Sequence, residues 1–135
     1  MAEIKIYNPE GMNRPRTPFM QVARVKTSEL AFIAGQVPVY ANGGPVGEGD
    51  FEAQCAQVFD NIRVALRSVG ADWRNVVEFT TYMTNRKNVG LFAAWRAREF
   101  PKMFPDGAYP PNTLLVVNGL AQDFYLLEVQ TTAAL

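Results

Sequence analysis

The stretch DFEAQCAQVFDNIRVALRSVG, residues 50–70, reads as one amphipathic helix and constrains everything around it. Phe51, Cys55, Val58, Phe59, Ile62, Leu66 and Val69 recur at the spacing of a single helical face. Gln54, Gln57, Asn61, Arg63 and Arg67 fall largely off that face. Asp50 is a good N-cap, Glu52 suits the positive first turn, and Gly70 stands where a left-handed residue closes a helix. An apolar stripe of this length needs a sheet to cover. Val76–Met83 supplies a strand, with Phe79, Thr80, Thr81 and Tyr82 giving it strong β propensity.

Working outward, Met20–Val25 and Leu30–Val39 read as two more strands, joined across Lys26–Glu29 as a hairpin. Residues 42–49 contain four glycines and a proline and form a loop; Gly43-Gly44 lacks the spacing and lysine of a phosphate loop and is a turn. Phe92, Trp95 and Phe100 indicate a second helix over Val89–Phe100, ended by Pro101, its aromatics serving as core or subunit-contact groups. Two strands, Thr113–Val117 and Tyr125–Thr132, close the chain. Residues 1–18, with Pro9, Pro15 and Pro18, are expected to be an N-terminal arm. Tyr82, Asn85 and Arg86 end a strand, where they either line a cleft or form a plain strand-to-helix loop.

The chain of 135 residues, 48% of them hydrophobic, is thus read as a single α+β domain, a mixed sheet with two helices on one face. The other sheet face must also be covered. Val37, Val39, Val77, Phe79, Leu115 and Val117 are expected to bury themselves against another copy of the chain.

Composition removes several kinds of chemistry. There is no histidine, so Ser-His-Asp and Cys-His nucleophiles and His-ligated zinc are absent. Thirteen basic side chains balance thirteen acidic ones, which leaves no diffuse positive field for nucleic acid or an anionic membrane. The single cysteine, Cys55, sits on the apolar stripe and reads as a buried structural thiol. No segment approaches a membrane span, Met1–Asn8 lacks the pattern of a signal peptide, and a cytoplasmic location is expected.

Four separated segments carry a resemblance: residues 32–38 (FIAGQVP), residues 57–62 (QVFDNI), Pro110-Pro111-Asn112-Thr113, and Leu127-Glu128-Val129-Gln130. In order and spacing they resemble landmarks of the reactive-intermediate deaminase (Rid, YjgF) family, over Pro18–Ala133. The resemblance implies a chorismate-mutase-like homotrimer, its sheets forming a central barrel and its clefts lying between subunits. It also implies hydrolysis of short-lived enamines and imines without metal or organic cofactor. An iminium carbon is already electrophilic and mainly needs an oriented water and proton delivery.

Carried over residue by residue, the cleft of this chain departs from the family. Phe19 stands where active deaminases have a tyrosine, and Ala34-Gly35-Gln36 replaces Ser-Gly-Gln. The family's helix asparagine falls on Ala93, and its carboxylate-clamping arginine falls on Asn112, beside Thr113. A neutral amide cannot reproduce the charge-assisted fork of a guanidinium, so simple 2-imino acids should bind at least about tenfold more weakly. Arg14 or Arg16 on the arm is the expected substitute clamp. With one residue inserted between Ala121 and Tyr125, the family's acid is Glu128, the catalytic candidate. Three readings follow: hydrolysis of an enamine or imine metabolite larger or more apolar than the usual ones; a ligand-binding or regulatory trimer; and RNA cleavage, disfavoured by the charge balance and the missing histidine.

Overall fold

The computed structural model describes all 135 residues. Helix α1 (Phe51–Ser68) forms where the apolar spacing places it. The Asp50 carboxylate accepts from the amide of Ala53 at 3.1 Å, satisfying a donor the helix leaves free. At the other end Gly70 adopts φ of 73°; its amide donates to Arg67, and the amide of Ala71 to Leu66, in a Schellman closure. The stripe differs from expectation at two positions. Val69 is exposed, because it is the C-cap and has left the helical path. Gln54 is fully buried, because its amide group finds three backbone partners. It donates to the carbonyls of Gly47 and Phe124 and accepts from the amide of Leu126.

Six strands and one more helix surround α1. Strand β1 (Glu3–Tyr7) pairs antiparallel with β2 (Val22–Lys26), forming a two-stranded ribbon. The expected N-terminal arm therefore contains a strand, and the expected hairpin between β2 and β3 (Leu30–Gln36) does not form as a ladder. Instead β3 pairs with the last strand, β6 (Leu127–Ala134). Strand β4 (Val76–Met83) lies on the other side of β6, and β5 (Asn112–Val116) runs parallel to β4, giving the order β3-β6-β4-β5. Both β3 and β4 are antiparallel to β6, so they share a direction, and α1 makes the crossover between them. Helix α2 (Asn88–Met103) makes the second crossover, from β4 to β5. Pro101 lies inside its last turn rather than ending it. The bond lost there would have gone to the carbonyl of Ala97, an exposed residue that water can serve.

The core lies between the two helices and one face of the sheet. Phe59 is its centre, 4.9 Å from Trp95, 5.6 Å from Phe79 and 5.7 Å from Phe100 between ring centroids. Phe79 thus faces the helices and not a second copy of the chain, and Val77 is also covered within the chain. Alternation along the strands puts Val129, Thr131 and Ala133 of β6 inward and Glu128, Gln130 and Thr132 outward. The outward face has no layer over it. Phe32 there is 76% exposed, Leu30 47% and Leu115 39%.

Candidate functional site

One irregularity on the open face sets up the site. Ile33 of β3 pairs with Thr131 of β6, but the next partner of Val129 is Gln36, so one extra residue is accommodated between Ile33 and Gln36. Such bulges break the ladder locally and re-aim side chains. Within it, the backbone of Gly35 passes under the Glu128 side chain so closely that a Cβ on residue 35 would stand 2.8 Å from both Cγ and Cδ of Glu128. Gly35 is therefore needed for close approach. The segment is fixed from two sides. Gln36 Nε2 donates to the carbonyl of Ala34 at 2.9 Å. From α1, Asn61 Nδ2 donates to the carbonyls of Val37 and Val39, with Gln57 Nε2 bonded in turn to Asn61 Oδ1.

A cleft of about 480 Å³ opens at this place, lined by Ala34 and Gly35 of β3, Tyr82 of β4, Glu128 and Gln130 of β6, and Val117, Gly119 and Leu120 of the loop after β5. Glu128 and Tyr82 are directly opposite each other on β6 and β4. Glu128 takes part in none of the chain's five ion pairs and is the only charged residue lining the cleft. A water or a polar ligand atom can thus reach its carboxylate. No three His, Cys, Asp or Glu side chains converge anywhere in the chain to hold a metal ion.

Of the residues singled out from the sequence, Ala34, Gly35 and Glu128 come together in this cleft. Gln36 braces it. Asn112 and Thr113 start β5, and Asn112 pairs with Phe79, three residues along β4 from the partner of Glu128. Asn112 Oδ1 accepts from the hydroxyl of Thr81, a buried residue on the helix-facing side, at 2.8 Å. Within one chain, then, Asn112 and Glu128 look to opposite faces. Phe19 lies near the same end of β5, where the amide of Met20 donates to the carbonyl of Tyr109. Arg14 and Arg16 are exposed and form no ion pair. Arg86 and Asn85 do not line the cleft; Tyr82 does, along with Leu120 and Gln130, which sequence reasoning missed. Alternation with Glu128 along β6 would have pointed to Gln130.

One arginine lies where no sequence signal placed it. Arg96 of α2 is only 4% exposed, stacks over the Phe92 ring at 4.4 Å, and leaves Nε and Nη1 without partners. Burial lowers its pKa to about 10, with nearby Cys55 a minor opposing influence. Burial likewise pushes the Cys55 thiol far up, with Glu52 adding to the effect. Arg96 does not line the cleft, so it is no substitute for the missing clamp.

Comparison with known proteins agrees with this architecture. The family described as Endoribonuclease L-PSP matches residues 11–135. The crystal structure of YyfB from Yersinia pestis, a protein of unknown function of the conserved Rid protein family, superposes with a TM-score of 0.88 at 32% identity, covering 98% of each chain. A RutC family protein of Pyrococcus horikoshii is 28% identical over 124 residues, 92% of both chains. Protein DfrA of Myxococcus xanthus is 29% identical over 103 residues, 76% of this chain and 75% of that one. A family match over residues 11–135, together with a 32%-identical structure that superposes over 98% of the chain, places this chain in the Rid/YjgF/YER057c family.

Proposed function

We propose that the protein hydrolyses a small enamine or imine to a carbonyl compound and ammonia, without a cofactor, in clefts completed by further copies of the chain in a homotrimer. The observation that carries this reading is the Glu128 carboxylate, unpaired and held over the Gly35 backbone at the mouth of a cleft. Membership of the Rid family supports a general role in enamine and imine processing. The exposed Phe32, Leu30 and Leu115 beside the cleft support self-association, since an apolar sheet face of this kind gains by being covered.

In the proposed reaction, Glu128 orients a water against the iminium carbon and takes its proton as the C–O bond forms and the C=N π electrons move to nitrogen. The proton then passes to the amine nitrogen of the carbinolamine. As the C–N bond breaks and ammonia leaves, Glu128 takes the hydroxyl proton, the carbonyl forms and the proton passes to ammonia, so that one water and one iminium ion have become one carbonyl compound and one ammonium ion. Positioning supplies most of the acceleration, because the carbon needs no further activation.

The test is the release of ammonia and carbonyl product from enzymatically generated imines, comparing the protein with Glu128→Gln. Acceleration at least about a hundredfold greater in the unaltered protein is expected. Equal acceleration by both refutes the assignment of Glu128. Binding of a metabolite without turnover is the alternative outcome, and the absence of an arginine from the lining favours it for 2-imino acids. The endoribonuclease description attached to the family gains no support from this chain, with its 13 basic and 13 acidic side chains and no histidine.

A further inference from the structure

The cations of this chain are distributed unevenly. Strands β3, β4, β5 and β6 contain no lysine or arginine, and neither do the loops at residues 37–50 and 117–126 that border the cleft. The open face carries two carboxylates instead, Glu78 and Glu128. Glu78 is occupied, accepting from the hydroxyl of Thr132 at 3.2 Å. Glu128 is left over. Arg86 and Lys87, the nearest cations along β4, begin the turn into α2 and line no part of the cleft. The only neutral polar groups at hand are Tyr82 and Gln130.

We infer that the cleft selects substrates that carry a positive charge and no carboxylate, namely iminium ions derived from amines rather than from 2-amino acids. This rests on the hydrolytic reading above and names its substrate class. A substrate carboxylate in this cleft would meet the like charge of Glu128 with no guanidinium or ammonium from the sheet to offset it. At the position where the family's clamping arginine falls, this chain has the neutral Asn112. An iminium ion, by contrast, pairs with Glu128 directly. Its nitrogen is drawn to the carboxylate, and its carbon lies within one water of the same oxygen atoms.

The experiment uses a matched pair of imines differing only in the carboxylate: one released by a flavin amine oxidase acting on phenylethylamine, the other by a flavin amino-acid oxidase acting on phenylalanine. A kcat/KM at least tenfold higher for the amine-derived imine is expected. A value equal or higher for the amino-acid-derived imine overturns the inference while leaving hydrolysis intact. Binding is measured separately by calorimetry with benzamidinium, a stable planar cation, and with benzoate. The expected result is binding of benzamidinium that is lost in Glu128→Gln, and none of benzoate. Benzamidinium binding with no hydrolysis of either imine keeps the charge selectivity and overturns the hydrolytic reading. Preference for benzoate, or binding of neither probe, overturns the selectivity.

Discussion

Replacing Gly35 by alanine tests the site through a residue that contributes no functional group. The added methyl would stand 2.8 Å from Cγ and Cδ of Glu128, whereas carbon atoms in good contact are about 3.5–4.0 Å apart. Residue 35 is held by the bulge and by the bonds from Asn61 and Gln36, so the Glu128 side chain is the part that yields, by about 1 Å. That side chain is flexible and faces the open cleft, so the cost to folding should stay below about 1 kcal/mol. Catalysis is less tolerant, since a misplacement of about 1 Å can cost about a hundredfold. Gly35→Ala should therefore show a melting temperature close to that of the unaltered protein and a kcat/KM about a hundredfold lower. Gly35→Ala combined with Glu128→Asp, which shortens the crowding side chain, should unfold no more easily than Glu128→Asp alone. Full activity in Gly35→Ala would refute the idea that the glycine exists to admit the carboxylate, and a large loss of stability would show that the backbone, not Glu128, had to move.

Other perturbations address the rest of the molecule. Phe32→Glu places a charge on an exposed position of the open face, so the chain should still fold, with unchanged far-ultraviolet circular dichroism, yet sediment as a monomer. The raised pKa of Cys55 means the folded chain keeps a proton that the unfolded chain gives up near pH 9.0. Stability is then complete below pH 9 and falls above it by up to about 1.4 kcal/mol per pH unit, until Arg96, lowered to about 10, contributes the opposite slope. Denaturant titrations between pH 9 and 10 should show this decline, and Cys55→Ala should lack it. Arg96→Met removes a buried cation whose Nε and Nη1 have no partner while keeping an apolar stem against Phe92. It should leave stability unchanged or raise it by about 1–3 kcal/mol, measured by chemical denaturation.

The parts of the fold that depend on a single segment were legible in the sequence. Helix α1 and strand β4 announce themselves by period, because burial on one face forces a repeat. What depends on distant partners was not. The segment EIKIY of β1 is short and followed by prolines, and only its ladder with β2 makes it a strand. For β2 and β3, neighbours in sequence are the default pairing, yet β3 pairs with β6 and β2 with β1. Phe79 was placed on the wrong face because alternation tells which residues of a strand share a face, not which face the helices will cover. In the site, Glu128 was found through the resemblance of its segment to a family. The reason for Gly35 was invisible without the bulge that brings the two together, and so was the orientation of Asn112, which is fixed by its bond to Thr81.

Glu128 shares its sheet face with Phe32, Leu30 and Leu115. If copies associate through that face, the groups that bind substrate and the groups that hold copies together obey one mass-action law. Specific activity then becomes a property of the solution as much as of the chain. Dilution below the dissociation constant of the assembly should extinguish turnover with a steep concentration exponent while every chain remains folded, and any metabolite that fills the cleft should in turn hold the assembly together.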